Sequence, residues 1–141
     1  MRIFLLLSLL ALSGCSGRSS ELQPGREIAS ATAPDGGSRA FLWEPKETGG
    51  LGATTSQIYQ IWVQRLPEKQ ERELMLEVDK TSGIKLYWAA SGKLELCYEK
   101  AQILAFHNLF DAIKENPPGV YEVEVILKRV DMLNACQTAT R

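Results

Sequence analysis

The sequence predicts an all-β fold: mainly an antiparallel meander of about seven strands, closed into a small sandwich or left as a partly open barrel, with α+β as the alternative. Three observations lead there. Apolar and polar residues alternate in several separate segments, as they do in half-buried strands. Clusters of Pro, Asp, Ser and Gly punctuate those segments at short intervals. Past the apolar N-terminus, helix signals are few: Pro67–Arg72 could begin one but reads better as a connector, which leaves at most one short helix near 108–115.

The elements follow in order. Ile28–Ala33 and Ser38–Glu44 flank Pro34-Asp35-Gly36-Gly37, in which Pro sets the first turn dihedral, Asp bonds the backbone ahead and Gly accepts positive φ, so the pair reads as a hairpin. A Gly-rich loop, Pro45–Thr55, leads into a long strand over Ser56–Leu66, with Tyr59, Ile61 and Val63 on one face and Gln60, Trp62 and Gln64 on the other. Pro67–Arg72 is a connector, and the next strand sets Leu74, Leu76 and Val78 against Glu73, Met75, Glu77 and Asp79. Thr81-Ser82-Gly83 turns the chain. Ile84, Leu86 and Trp88 line one strand face, Ser91-Gly92 suits a tight hairpin, and Leu94, Leu96 and Tyr98 line the next, followed by a strand over Ala101–His107. Asn108 can cap a short helix near 108–115, which Asn116-Pro117-Pro118-Gly119 must stop because prolines donate no backbone hydrogen bond. Val120–Val130 has the clearest alternation, Tyr121, Val123, Val125 and Leu127 opposing Glu122, Glu124 and Lys128; Asp131–Arg141 has no decisive pattern.

The N-terminus is of another kind. Met1-Arg2 precedes an apolar run, Ile3–Leu12, of secretory length and too short to span a hydrocarbon core. It ends in Leu12-Ser13-Gly14-Cys15, which resembles the lipobox of bacterial lipoproteins: an aliphatic residue, two small residues and the cysteine that receives the lipid. The alternative is an ordinary signal cut nearby at small residues. The resemblance implies that residues 1–14 are a cleaved signal and that Cys15 becomes the diacylglycerated first residue, carrying acyl chains such as palmitate. Residues 15–27 then form a polar tether, 28–130 the β domain and 131–141 a C-terminal tail. Two or three acyl chains, at about 0.8 kcal/mol per buried methylene, anchor a protein stably without a transmembrane helix. The implied address is extracytoplasmic, and Ser16 after the cysteine implies the outer membrane, facing the periplasm, in a Gram-negative source.

Within the domain, Ala33-Pro34-Asp35-Gly36-Gly37 together with Gly52-Ala53-Thr54-Thr55 is similar to small bacterial proteins of unassigned function that carry a PDG…GATT pattern. Leu94-Glu95-Leu96-Cys97-Tyr98 and Tyr121-Glu122-Val123-Glu124-Val125 resemble their back half, so the likeness covers most of 28–130. It implies a fold and no activity. Leu51 stands where a cysteine often precedes GATT in that pattern.

Charge and chemistry narrow the function. Sixteen Lys and Arg against seventeen Asp and Glu, with no block of one sign, argue against nucleic acid, which needs clustered cations to neutralise phosphates. Cys97 and Cys136 are the thiols besides Cys15. In an oxidising compartment they either form a bridge that pins the tail across the outer face of the sheet, or stay free. His107 is the one histidine, and no C-x-x-C pair occurs, so neither a His-based metal cluster nor a structural zinc site is expected. His107 reads as a strand-end histidine bonded to backbone or water, since no nucleophile motif accompanies it. Gly49–Thr55 lacks the lysine of a phosphate loop and precedes a strand; it reads as a hairpin loop, and Gly50, Gly52, Thr54 and Thr55 are the first candidates for a recognition loop. Glu95, Glu99, Glu122 and Glu124 read as solvated charge on wetted faces rather than paired glycosidase acids. Trp43, which alternates with Phe41, and Trp88, which alternates with Ile84 and Leu86, read as core; Trp62 is either an exposed patch for a glycan or protein, or is covered by the tail or a second sheet.

These readings converge on a non-catalytic, membrane-tethered binding domain in the cell envelope, without metal or cofactor, whose partners are the membrane through the lipid on Cys15 and another envelope protein or a cell-wall glycan. The alternatives are an inhibitor or immunity lipoprotein acting on a toxin or hydrolase through Gly49–Thr55, and an enzyme.

Overall fold

Residues 21–46, 57–67, 71–79, 81–115 and 118–137 are described by a computed structural model, and they form nine strands and one short 3-10 turn. The leader, Cys15 and the candidate loop residues Gly50, Gly52, Thr54 and Thr55 lie outside them.

The first hairpin forms where Pro34–Gly37 places it. β1 (Gly25–Thr32) and β2 (Ser38–Pro45) pair antiparallel around a turn closed by Gly36 N donating to Ala33 O at 2.9 Å and Ala33 N to Ser38 O at 2.8 Å. Asp35 Oδ1 accepts from Gly37 N at 2.9 Å, and Gly36 sits at φ 70°, where a side chain would be strained. β3 (Tyr59–Arg65) and β4 (Arg72–Asp79) extend the sheet, β7 (Gln102–Phe106) closes it, and the order is β1-β2-β3-β4-β7. The second sheet contains β5 (Ile84–Ala90), β6 (Lys93–Tyr98), β9 (Pro118–Arg129) and β8 (Leu109–Glu115), in the order β5-β6-β9-β8. Every pairing is antiparallel except β6 with β9, which run parallel. The protein is thus an all-β sandwich, not a closed barrel, with β9 inserted between β6 and β8 where a meander would leave neighbours in sequence order.

The alternating residues make the core. Ile61 and Val63 of β3, Leu76 and Val78 of β4, Leu94 and Leu96 of β6, and Val123 and Val125 of β9 are buried between the sheets, joined by Trp88 and Phe110. Each such side chain taken out of water stabilises the fold by about 1.5–3 kcal/mol. Trp88 also ties the layers together, its Nε1 donating to Ala31 O at 3.0 Å.

The structure corrects the sequence reading at several places. The segment near 108–115 is β8, not a helix: Leu109 to Glu115 pair in register with Glu124 to Pro118, and Val125 N donates to Asn108 O at 2.8 Å. Pairing with the long strand β9 outweighs a capping signal worth about 1 kcal/mol. The folded region begins at β1, Gly25, rather than Ile28, because Lys46 N donates to Pro24 O at 2.7 Å and Trp43 Nε1 to Gln23 O at 3.1 Å. A β-bulge at Met75 puts Leu76 opposite Ile61 but Leu74 opposite Trp62, so Leu74 leaves the face it was expected to share with Leu76 and Val78.

The tail packs as expected for the bridged case. Cys97 and Cys136 are joined, with Cα atoms 5.9 Å apart, and the 3-10 turn Leu133–Gln137 lies over the outer face of the second sheet. Glu99 accepts from Leu133 N at 3.0 Å, and Lys128 Nζ lies 2.6 Å from Glu95 Oε1. Glu95 and Glu99 are therefore partnered beneath or beside the tail, not freely solvated; Glu95 is buried.

Candidate functional site

Trp62 does not form an open recognition surface. It is on the outer face of the first sheet, as its alternation with Gln60 and Gln64 requires, but it is 2% exposed. Its cross-strand neighbours are Phe41 of β2 and Leu74 of β4, and its Nε1 donates to Gln60 Oε1 at 3.2 Å. Phe41 and Trp43 belong to this same outer face, their rings meeting edge to face at 6.3 Å, with the Arg39 guanidinium 5.5 Å from the Phe41 centroid. Trp43 is consequently not a core residue; Trp88 is. An aromatic layer thus covers the outside of β2 and β3, made by residues the alternation divides between core and solvent.

The concavity best placed for recognition is at the end of the first sheet where the chain enters. A cleft of about 490 Å³ opens between the start of β1, the end of β2 and the approach to β3. Gly25 is part of its lining: a Cβ there would run into Glu44 O and Pro45 Cα, so a side chain at 25 would displace the β2 backbone. Glu44 is the polar hub. It accepts from Arg26 Nε and from Gln57 Nε2, and these bonds, with the Arg26 charge, hold its carboxyl below the usual glutamate range. In return, the Arg26 guanidinium is raised by its bond to Glu44. Pro45 and Ile58 add apolar wall, and the exposed Lys46 adds a cation.

The described residues that flank the Gly-rich segment in sequence are at this cleft. Lys46 and Gln57, the last and first described residues around positions 47–56, both line it. Gly50, Gly52, Thr54 and Thr55 lie between these two residues in sequence, outside the described residues. Sequence reasoning missed Arg26, Glu44 and Gln57, whose pairing depends on the β1–β2 register. The available signal was Gly25 at the head of a strand, a position that in a sheet marks close approach of another backbone.

The described lining offers a carboxylate already held by two donors, one further cation and an apolar wall. Such a set can bind and orient a polar ligand through hydrogen bonds and charge. His107 lies elsewhere, with Nδ1 3.2 Å from Glu73 Oε1 and its backbone N donating to Met75 O at 2.8 Å, so its ring partner is a carboxylate rather than backbone or water.

Because the Glu44 pKa is depressed on folding, its contribution is present above the ordinary glutamate range and is lost as pH falls through the depressed value. Carbon-detected NMR titration should show Glu44 ionised after exposed glutamates have protonated, and Arg26→Ala should return its midpoint towards theirs.

Compared with protein-family models, curated proteins and solved structures, the chain matches none.

Proposed function

We propose that the protein is a lipid-anchored, non-catalytic binding domain of the bacterial cell envelope, held extracytoplasmically through Cys15 and recognising an envelope protein or a cell-wall glycan. The observation that carries this reading is Leu12-Ser13-Gly14-Cys15 directly behind a secretory-length apolar run. A disulfide between Cys97 and Cys136 supports it, because such bridges persist outside the reducing cytosol. The tether supports it geometrically. The eight residue steps from Cys15 to Gln23, at most about 3.6 Å each, keep the anchored end of the sandwich within roughly 30 Å of the bilayer. Binding then takes place in the cleft beside Arg26 and Glu44.

A second reading, an inhibitor or immunity lipoprotein, is favoured by one feature: Lys46 and Gln57, the described residues on either side of positions 47–56, both line the cleft. A stoichiometric complex with a toxin or hydrolase, lost on deleting Gly49–Thr55, would select it.

The test of the address is the intact mass of the chain recovered from membranes. A mature protein beginning at lipid-modified Cys15 is expected. An unmodified chain beginning at another small residue, released in the soluble extract, would contradict it.

A further inference from the structure

The two sheets differ in width. β5 packs over β1 and β2, and β8 packs over β4, so β7, the next strand beyond β4, extends past the edge of the second sheet. Ile103 and Phe106 are opposite Val78 and Leu76, whose side chains are core, so they share the inner face; yet they remain 36% and 37% exposed. Above them is a place for one strand that the second sheet does not fill. Its near side is β8, which pairs only with β9 and leaves its other backbone edge open among the described residues. Its end is closed by the corner at His107 and Asn108, bonded to both sheets through Met75 O and Val125 N. A cleft of about 450 Å³ marks this corner, lined by Phe106, His107, Asn108, Leu109 and Asp111.

Charge defines what fits. On the outer face of the second sheet Asp111 is opposite Glu122, with Glu124 two pairs along, opposite Leu109. All three carboxylates are exposed; Glu124 has Lys93 of β6 as its other neighbour across the ladder, whereas Asp111 and Glu122 face each other. Like charges directly across a ladder repel, and a cation beside them would relieve this.

We propose that β8 takes up one extended segment of a partner protein as a fifth strand of the second sheet. The segment's inward side chains are apolar and cover Ile103 and Phe106; its outward side chains are lysine or arginine, the nearest beside Asp111 on β8, with Glu122 one strand further in. Main-chain bonds to the open edge supply affinity, and the alternation supplies specificity. A second copy of this chain does not fit. Pairing β8 with β8 would bring each copy's β4 into the space held by the other's β7, and pairing β7 with β7 would leave the places above both strands empty. The occupant is a lone strand, and the site is separate from the cleft at Arg26 and Glu44.

The test uses the full chain in detergent micelles and peptides of β8 length. One alternates valine with lysine, one alternates valine with glutamate, and one holds the valine and lysine in two blocks. The alternating valine–lysine peptide is expected to bind, to slow amide exchange within Leu109–Glu115, and to weaken as salt rises. Asp111→Lys combined with Glu122→Lys changes only exposed groups and should lower its affinity by about tenfold at an unchanged urea midpoint. Equal binding of the glutamate or blocked peptide, unaltered affinity in the charge-reversed variant, absence of binding, or protection at another strand would each overturn the proposal. So would a dimer in the absence of peptide whose β8 amides are already protected.

Discussion

Replacing both Cys97 and Cys136 by serine should lower the stability of the folded chain by about 4 kcal/mol, the chain-entropy value for a loop of 39 residues. For a domain of this size that is a fall in Tm on the order of 15 °C. The effect is large because the bridge does two things. It restricts the unfolded chain, and it holds the turn Leu133–Gln137 over Cys97, which is fully buried, and beside Glu99. Without it, amides of Leu133–Gln137 should exchange at nearly unprotected rates while those of β6 and β9 stay protected, since the parallel pairing of Lys93–Tyr98 with Glu124–Arg129 does not depend on the tail. Calorimetry and hydrogen exchange on the same variant check both parts. An unchanged Tm would show that the tail contributes nothing to the fold.

Trp62→Ala should destabilise the fold by about 3–5 kcal/mol, a large share of the roughly 5–15 kcal/mol available to a domain. Trp62 is 2% exposed between Phe41 and Leu74, and truncation opens a void that neighbouring strand residues cannot close without moving the sheet. Urea unfolding measures the loss. A recognition tryptophan behaves in the opposite way, lowering affinity while leaving the urea midpoint nearly unchanged. A loss below about 1 kcal/mol would mean that the outer aromatic layer of the first sheet is not packed as described.

Much of the fold was legible because strands wetted on one face write their burial into period two. Tyr59, Ile61 and Val63, then Ile84, Leu86 and Trp88, then Tyr121, Val123 and Val125 all face the core they were assigned to, and Pro34–Gly37 turns the chain where its residues allow. Three kinds of information were not local. Strand order is one: β6 and β9 meet in parallel only after the chain has crossed to the first sheet for β7 and back to the second for β8. Phase is another, since the bulge at Met75 shifts Leu74 to the other face without a break in the apolar pattern. Outer-face burial is the third. Alternation separates Trp62 from the core correctly but cannot report that Phe41 and Leu74 enclose it. The cleft was half legible for the same reason. The Gly-rich segment that its residues flank in sequence announced itself by composition, whereas the Arg26–Glu44–Gln57 network exists only once β1 lies beside β2.

Crosslinking pull-down from intact cells expressing the wild type or Cys15→Ala tests the proposed membrane-tethered binding domain. One envelope protein or cell-wall component enriched with the wild type and lost with Cys15→Ala is the result expected. A Cys15→Ala protein that remains membrane-bound, processed as before and crosslinked to the same partners would contradict it.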